Sequence, residues 1–195
     1  MIRQATIADA PAMAAIYAPI VRTTAISFEV DPPTAAEMAT RVEATLAHAP
    51  WLVCADEGEV IGFAYASRHR ERTAYRWSMD ASVYVHESAR RRGVARGLYT
   101  SLFALLRLQG FYAVHAGITL PNPASVGVHE ALGFRSVGVY RAVGYKLGAW
   151  HDVGWWQLVL RERAGVPAPP LLLAEAQRLP GWTDALEAGG ALVRP

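Results

Sequence analysis

A turn of arginines and small residues at positions 90–95 could do chemistry, because it lies between a predicted strand and a predicted helix. The first amides of a helix have no intrahelical partner and attract anions. Gly93 and the small Ala95 let a phosphate group approach the backbone, and the arginines add charge-assisted hydrogen bonds. The turn therefore predicts a pyrophosphate site, although a solvated arginine run before an ordinary helix also fits this segment taken alone.

Cysteine, histidine and aspartate give weaker signals. Cys54 is the only cysteine, which excludes an internal disulfide and a cysteine-based zinc cluster, and its apolar neighbours predict a core thiol. Taken alone, His129 fits a helix-surface or core histidine, and Asp80 fits an exposed residue at the start of a strand. No spacing pairs the other histidines of interest, which are His69, His86, His115 and His151. We therefore expect no metal site.

Capping signals and hydrophobic periodicity place these residues on a regular framework. Thr6 and Thr34 each open a capping box, and Gly110 ends the helix that follows the arginine turn. The predicted helices cover about 9–21, 34–46, 94–109 and 122–132. The predicted strands cover 51–55, 60–67, 80–85, 112–118, 135–140 and 153–160. This order predicts a three-layer α/β (α+β) fold with a mixed, mostly antiparallel central sheet flanked by helices.

Composition limits the function classes. A length of 195 residues fits one domain, and 52% hydrophobic with 18% charged residues is typical of a globular protein. No segment approaches the roughly 20 apolar residues of a membrane helix, and no secretory signal is visible, so we expect a cytoplasmic protein without a membrane partner. A net charge of +2 gives little support to nucleic-acid binding.

Proline and glycine become frequent after Arg163. The change predicts a domain at 1–162 and a C-terminal extension at 163–195. Residues 171–179 could form a short helix, and we expect the extension to pack on the domain or on a partner subunit and its end to be disordered.

A set of motifs in a fixed order carries a family resemblance. Arg90, Gly93 and Ala95 fill the pattern Gln/Arg-x-x-Gly-x-Gly/Ala, which follows a strand in the acyl-CoA-binding signature of the GNAT superfamily. Further carriers are SVYV at 82–85, LY at 98–99, QGF at 109–111, NP at 122–123, HEALGF at 129–134, VGYK at 143–146 and WHDVG at 150–154. Over residues 2–160 the sequence most resembles the phosphinothricin and methionine sulfoximine N-acetyltransferases.

The resemblance implies acetyl-CoA as co-substrate. It places Val83, Tyr84 and Val85 along the pantetheine arm and Asn122 near the thioester, against the simpler reading of Asn122 as a helix cap. It assigns the pyrophosphate to the turn and the first helical residues, namely Arg90, Arg91, Arg92, Gly93, Val94, Ala95 and Arg96.

The resemblance also implies catalytic roles. Relatives place a glutamate where this chain has Asp80, whose shorter side chain favours proton abstraction from the amine through a water molecule. His129 would protonate the departing sulfur or help to deprotonate the amine. The Val85 amide would stabilise the oxyanion, a contribution of roughly 3 to 4 kcal/mol in comparable sites.

The expected acceptor is a small amino-acid-like amine, whose carboxylate suits arginine. The resemblance places its pocket at Phe28, Glu29, Arg68, Arg72 and Tyr75, with Arg76 and Trp77 nearby. This pocket would explain the basic stretch from Arg68 to Arg92 without nucleic acid, although each arginine alone could equally belong to a solvated loop.

Several alternatives remain open at this point. The chain could be a non-catalytic acyl-CoA-binding module in which Asp80 marks a lost base, or an acetyltransferase for a different small amine. A nucleic-acid-binding domain built on residues 68–96 would bind with a steep salt dependence. Residues 143–146 and 155–156 lie where the family forms subunit contacts, and strand alternation places one of Trp155 and Trp156 outward, which favours a homodimer. Ordinary core packing is the alternative for at least one of the two.

Overall fold

The computed structural model describes residues 1–194, and a seven-stranded mixed sheet forms its centre. The strands are β1 (Ile2–Gln4), β2 (Trp51–Asp56), β3 (Glu59–Arg68), β4 (Ser78–Val85), β5 (Ala113–Leu120), β6 (Arg135–Lys146) and β7 (Ala149–Val159). Their order is β1-β2-β3-β4-β5-β7-β6, and among the described strands β4 and β5 are the parallel neighbours. The predicted mixed, mostly antiparallel sheet is confirmed.

Helices cover both faces of the sheet. They are α1 (Ala10–Thr23), α2 (Ala35–Leu46), α3 (Val94–Gln109), α4 (Pro123–Ala131), α5 (Leu173–Ala176) and α6 (Trp182–Glu187). The capping box at Thr34 forms, since its hydroxyl accepts from the Glu37 amide at 3.2 Å and its own amide donates to the Glu37 carboxylate at 2.7 Å. Gly110 ends α3 with φ 94°. None of the helices in residues 1–194 is long and apolar enough to cross a bilayer.

Alternation along β3 separates the core into two halves. Phe63 packs with Met13 and Val42 under α1 and α2, whereas Ala64 packs with Leu102 under α3. Each fully buried aliphatic or aromatic side chain of this kind stabilises the fold by about 1.5 to 3 kcal/mol. The three-layer prediction is therefore confirmed. One face of β4 points to the core half under α1 and α2, and the other face points to the core half under α3.

The sheet opens between β4 and β5. Ser78–Asp80 pairs with Ala113–His115, and beyond these three pairs the two strands continue without pairing to each other. On the other side of β4 the ladder to β3 is complete, from Met79 to Val85. A cleft therefore begins in the middle of the sheet, directly after Asp80.

The last two strands are longer than predicted. They form one hairpin closed between Lys146 and Ala149, and an irregularity in register lies between Tyr140 and Gly144. Ala142 has φ 44° there, and its amide donates to Asp152 at 2.8 Å. The irregularity interrupts the polar and apolar alternation, which explains why the sequence pattern ended near residue 140.

The C-terminal extension is ordered up to Arg194, which corrects the prediction of a disordered end; Pro195 lies outside the described residues. It begins at the C-terminal end of α3, where the Gln109 side chain donates to Leu171 O at 3.0 Å. It ends at the N-terminal end of α3, where the Arg194 amide donates to Arg92 O at 2.8 Å. In between, Ala185 packs into the α3 half of the core. We call residues 168–194 the strap.

Candidate active site

The arginine turn has the backbone geometry of an anion-binding loop. Arg91 (φ 66°) and Gly93 (φ 82°) are both left-handed, and α3 begins at Val94. The first amides of α3 therefore point out of the helix end without an intrahelical partner. Alternating left- and right-handed residues make a concave set of N–H groups that suits phosphate oxygens. The predicted pyrophosphate loop thus has backbone donors where the sequence placed them.

The arginine side chains of this loop are not equivalent. Arg92 donates to Asp56 at 2.7 Å and to Arg194 O at 3.1 Å, so its guanidinium is held by the β2–β3 turn and by the strap. Arg90, Arg91 and Arg96 are exposed. Any contact of Arg92 with phosphate would therefore involve its backbone amide.

Gly93 is also the point where the strap touches the loop. A Cβ added to Gly93 would lie 2.0 Å from Leu192 O, and nothing flexible can yield there because the obstacle is backbone. Glycine is needed at this position both for its positive φ and for the close approach. The sequence had indicated a close approach at Gly93, but by a phosphate group, and it gave no signal for the contact with the strap.

Strand β4 supplies the wall of the cleft. The His86 amide donates to Ile61 O at 2.9 Å, and antiparallel alternation then directs the backbone groups of Tyr84 to β3 as well. The backbone groups of Val83 and Val85 point the other way, towards the gap beside β5. Val83 and Val85 therefore have backbone groups free for the roles predicted for them. The backbone of Tyr84 is paired with β3, and its side chain packs with Tyr17 in the α1 half of the core.

His129 lies at the floor of this gap. It is 4% exposed, and it lines a small cavity of about 60 Å³ together with Val83 and Tyr99. Its Nδ1 donates to the Ser125 carbonyl at 2.8 Å, which leaves the Nε2 lone pair to accept from the Tyr99 hydroxyl at 3.3 Å. Burial lowers the pKa of His129 and raises the pKa of Tyr99. The pair is therefore neutral near pH 7.

Tyr99 lines this cavity, and the sequence analysis had not singled it out as a candidate site residue. It was quoted as part of the family motif and given no role, because nothing in its spacing connects it with His129. Asn122 behaves as the simpler reading expected, since its Oδ1 accepts from the Ser125 amide at 3.1 Å and caps α4. Its amide nitrogen makes no hydrogen bond within residues 1–194, so it stays available to a ligand.

Asp80 lies at the opening of the cleft, in contact with His69 and next to His115 across the strand pair. His69 Nδ1 is 2.6 Å from Asp80 Oδ1, and the rings of His69 and His115 stack with centroids 4.2 Å apart. Burial raises the pKa of Asp80, with His69 acting in the opposite direction. Burial, with a smaller contribution from His69, lowers the pKa of His115 to about 4. The sequence spacing had paired neither His69 nor His115 with another residue, and the structure corrects this by placing both beside Asp80.

Aromatic side chains surround the cluster. The ring centroids of Tyr75 and Trp155 each lie 6.0 Å from that of His69, and the Arg70 guanidinium lies 5.7 Å from the Trp155 ring centroid. Trp155 Nε1 and His115 Nδ1 are buried without a hydrogen-bond partner among the described residues. Unpaired buried polar groups are costly, so each one calls for an explanation, and a functional role is one of them. We call His69, Asp80, His115 and Trp155 the acceptor cluster.

The other predicted acceptor residues divide between the two faces of the sheet. Arg68 shares the α3 face with Ala66, whereas the next residue, His69, shares the opposite face with Asp80. Arg68, Arg72 and Tyr75 line a cavity of about 320 Å³ against the start of the strap. The pleat of β3 therefore takes Arg68 away from Asp80 and leaves Tyr75 as the member of this group beside the acceptor cluster.

Phe28 and Glu29 lie in the loop between α1 and α2, as predicted. Phe28 packs directly on Gly144, where an added Cβ would be 2.1 Å from its ring. Glu29 is held by Arg41 at 2.7 and 2.9 Å and by the Tyr17 hydroxyl at 3.0 Å. The Arg41 guanidinium is the main cause that lowers the pKa of Glu29. Glu29 thus orders the loop, and Phe28 is its apolar contact with the β6–β7 hairpin.

Comparison with known proteins gives the fold a family. The sequence profile described as "Acetyltransferase (GNAT) domain" matches residues 2–155. A phosphinothricin N-acetyltransferase of Streptomyces viridochromogenes is 43% identical over 169 residues, which cover 87% of this chain and 90% of the relative. An L-methionine sulfoximine/L-methionine sulfone acetyltransferase of Pseudomonas aeruginosa is 36% identical over 168 residues, covering 85% of this chain and 98% of the relative.

Solved structures agree with the sequence relatives. A GNAT superfamily phosphinothricin acetyltransferase from Sinorhizobium meliloti, solved in complex with acetyl-CoA, superposes with a TM-score of 0.82 at 37% identity, covering 86% of this chain and 92% of that one. The expected three-layer fold and the expected enzyme class, an N-acetyltransferase, are both confirmed. The chain belongs to the GNAT acetyltransferase family.

Proposed function

We propose that this protein transfers the acetyl group of acetyl-CoA to the amine of a small amino acid or of an analogue of the phosphinothricin, methionine sulfoximine or methionine sulfone type. One observation carries the proposal: the gap between β4 and β5 joins an anion-binding loop at one end to Asp80 at the other. The relatives named above act on such amines. We propose residues 1–162 as the catalytic domain and 163–195 as its extension.

The residues of the gap fit acetyl-CoA. The loop amides and the exposed Arg90, Arg91 and Arg96 would hold the pyrophosphate, and the free backbone groups of Val83 and Val85 match the amides of an extended pantetheine arm. Asn122 would reach the cofactor through its unpaired amide nitrogen. When bound, acetyl-CoA supplies an acetyl thioester, whose carbonyl accepts the attack of the amine.

The chain's own groups then divide the chemistry. The Val85 amide points into the gap and would stabilise the oxyanion by roughly 3 to 4 kcal/mol. Asp80 is the proposed base at the acceptor end. At the opposite wall, the Tyr99 hydroxyl donates its proton to the Nε2 lone pair of neutral His129, which orients the hydroxyl. To protonate the departing sulfur, this hydroxyl would turn from His129 to the sulfur.

The acceptor would lie against the acceptor cluster. Phe28 is proposed as its apolar contact and Tyr75 as its polar contact, and Glu29 orders the loop that carries Phe28. Arg70, beside Trp155, faces the side of the sheet on which Asp80 lies and would pair with the α-carboxylate. Arg68 faces the other side of the sheet and would then act through the long-range positive potential only. Arg72 lines one cavity with both Arg68 and Arg70.

An amine panel tests this function. Purified protein is mixed with acetyl-CoA and a thiol-trapping dye, and each of phosphinothricin, methionine sulfoximine, methionine sulfone and the common L-amino acids is added in turn. We expect CoA release that depends on at least one of the oxidised sulfur or phosphinic amino acids. Release with unrelated amines alone would identify an acetyltransferase of another substrate class.

The alternative function is an acyl-CoA-binding module without catalysis. Calorimetry with CoA distinguishes the two possibilities, because a module binds CoA yet releases no thiol with any amine of the panel. The short His69–Asp80 contact favours the enzyme, since a lost base would have no reason to keep an ordered partner.

We also propose a homodimer in the cytoplasm. The outer hairpin β6–β7 exposes large apolar side chains to solvent, with Tyr140 50%, Tyr145 61% and Trp150 65% exposed, and a second copy would cover them. Sedimentation velocity should give a dimer that Trp150→Glu dissociates; a monomeric wild type would contradict this.

The free buried thiol of Cys54 suits a reducing compartment.

A further inference from the structure

We propose that His69, held by Asp80, is the group that takes the proton from the acceptor amine, so that the base is a histidine–aspartate dyad and not a lone carboxylate. This inference rests on the proposed function and specifies its acid–base chemistry. It starts from the 2.6 Å contact between His69 Nδ1 and Asp80 Oδ1, which joins the loop after β3 to the third residue of β4.

The contact fixes the tautomer of the ring. A carboxylate accepts hydrogen bonds and does not donate them, so the Nδ1 of His69 donates and carries the proton. The neutral imidazole then has its lone pair on Nε2. An aspartate that orients a histidine in this way sets the tautomer and stabilises the imidazolium that forms when the ring accepts a proton.

The free nitrogen of His69 reaches solvent. Nε2 makes no hydrogen bond within residues 1–194, and it is absent from the three buried side-chain nitrogens and oxygens of that range that lack a partner. The side chain of His69 is 14% exposed and that of Asp80 is 27% exposed. The ring is therefore fixed in place while one basic atom remains accessible to a substrate.

The groups around the ring hold it in place. From β5, His115 stacks on it and has its pKa lowered to about 4, so this neighbour is uncharged near pH 7. Gln157 of β7 holds His115 through a 3.0 Å contact between Gln157 Nε2 and His115 Nε2. The charged and titratable groups near the cluster are Asp80 from β4 and Arg70 and Tyr75 from the loop between β3 and β4. Arg163, from the segment after β7, also contributes to the lowered pKa of His115.

Reach is the reason for a histidine here. An aspartate has one methylene fewer than a glutamate, so Asp80 alone ends farther from the cleft. The imidazole extends the basic site beyond the carboxylate by the width of the ring. The dyad thus replaces the water molecule that the sequence analysis had invoked between Asp80 and the amine.

The proton balance of the step is complete. His69 Nε2 accepts one proton from the acceptor ammonium, and the freed lone pair forms the new C–N bond with the acetyl carbonyl carbon. The C–S bond breaks, and the sulfur keeps the electron pair and takes a proton, for which Tyr99 is the donor in the proposed mechanism. Tyr99 recovers a proton from solvent. The second proton lost by the nitrogen as it becomes an amide goes to solvent, as does the one held by the imidazolium. No oxidant or metal is consumed.

Kinetics of His69→Ala provide the main test, measured from about pH 6 to 9 so that imidazole titration is covered. We expect kcat to fall about 100-fold or more, as for loss of a general base. The affinity for CoA should stay unchanged, and the rise of kcat/KM with pH should lose the step that belongs to the dyad. His48→Ala, which removes an exposed histidine without a side-chain hydrogen bond, is the matched control and should keep full turnover.

A rescue separates the proton role from a structural one. Adding Asp80→Glu to His69→Ala lengthens the carboxylate and should recover part of the lost turnover, whereas Asp80→Glu alone should lower turnover because it displaces His69. Thermal unfolding and CoA binding report whether each variant is folded. Equal turnover and an unchanged pH profile in His69→Ala would overturn the proposal while leaving the acetyltransferase function intact.

Two further measurements bear directly on the dyad. His129 is also protonated on Nδ1, so the test is specific to the proton shared with Asp80. Nitrogen-15 NMR of the wild type should show one Nδ1 proton that is strongly deshielded, and Asp80→Asn should remove that signal; its absence from the wild type would contradict the geometry. Turnover should be the same in EDTA. Loss of activity in EDTA that zinc restores would also overturn the proposal. A wild type that acetylates no amine would remove both the proposed function and the dyad's reaction.

Discussion

The two ends of the cleft are built in different ways. At the cofactor end, a continuous segment of six residues makes the anion-binding loop, and its donors are backbone amides fixed by the positive φ of Arg91 and Gly93. At the acceptor end, side chains from β4, β5, β7 and the loop after β3 meet in the acceptor cluster. Local backbone geometry determines the first end, and packing between distant segments determines the second.

The difference extends to how each end is supported. The loop is clamped from outside by the strap, through Arg194 on Arg92 and Leu192 on Gly93. The acceptor cluster is supported from within the sheet, by stacked rings and by Gln157 behind His115. Changes at the loop should therefore act on cofactor affinity, and changes at the cluster should act on turnover.

Asp80→Asn should produce the largest loss of activity, and it should affect turnover at the acceptor end without affecting cofactor affinity at the loop. We expect kcat to fall by about 10²- to 10⁴-fold, as for removal of a general base or of the group that orients it. CoA affinity, measured by calorimetry, should change less than about twofold, since the loop is untouched. Asp31→Asn, at an exposed loop residue, is the control. Unchanged turnover in Asp80→Asn would remove this carboxylate from the chemistry.

Gly93→Ala tests the clamp on the loop. Gly93 (φ 82°) and Gly181 (φ 85°) share a left-handed backbone, but an added Cβ meets Leu192 O at 2.0 Å only at Gly93 and meets nothing within 4 Å at Gly181. Both substitutions should cost about 1 to 2 kcal/mol of backbone strain. Gly93→Ala should in addition weaken CoA binding, by about tenfold for each 1.4 kcal/mol lost at the loop. Equal CoA affinities in the two variants would show that the strap does not support the loop.

Tyr99 and His129 lie between the two ends of the cleft, and Tyr99→Phe and His129→Phe should lower turnover less than Asp80→Asn does. Each breaks the 3.3 Å contact, and we expect turnover to fall about tenfold, corresponding to about 1.4 kcal/mol of transition-state stabilisation. Since the two groups act as one unit, the double variant should resemble the single ones. Additive losses in the double-mutant cycle would separate the roles of the hydroxyl and the imidazole.

The smallest effect concerns pH and stability. Native His115 (pKa about 4) and His129 hold a proton less tightly than in the unfolded chain, where histidine titrates near pH 6.5. The unfolded state therefore binds more protons below about pH 6.5, and the free energy of unfolding should decrease as the pH falls from there towards 4. Native Asp80, with its raised pKa, acts in the opposite direction.

Urea titrations at several pH values measure this dependence. His115→Gln should make it shallower, whereas His86→Gln, at an exposed site, should not. A pH dependence that survived in both His115→Gln and His129→Gln would have to come from other groups.

The same contrast explains what the sequence could reveal. Helix caps, the loop at Gly93 and the strand that enters it are encoded by neighbouring residues, and these predictions agree with the structure. His69 and His115 become neighbours only through the parallel pairing of β4 and β5, and Tyr99 meets His129 only because α3 and α4 share one face of the sheet. No local spacing encodes such contacts.

The structure departs from the sequence predictions at two places near the surface, the C-terminal extension and Arg68, and contacts between distant segments explain both. Proline and glycine in the extension suggested disorder, yet Gly189 lets the strap approach α3 so closely that an added Cβ would lie 1.8 Å from Gly97 O. The alternation of β3 determined that Arg68 and His69 face opposite sides, and only the register of the sheet decides which side carries Asp80.

The opening between β4 and β5 places two edge strands inside a sheet. Exposed strand edges elsewhere invite pairing with other chains, and proteins usually shield them with charge, proline or irregularity. Here the cleft is the space between the two facing edges. The three residue pairs that end at Asp80 and His115 keep both strands in one sheet. An extended ligand can pair with such an edge as an added strand would, and no foreign β-sheet can enter. The cleft is thus protected from aggregation by the same geometry that makes it a binding site.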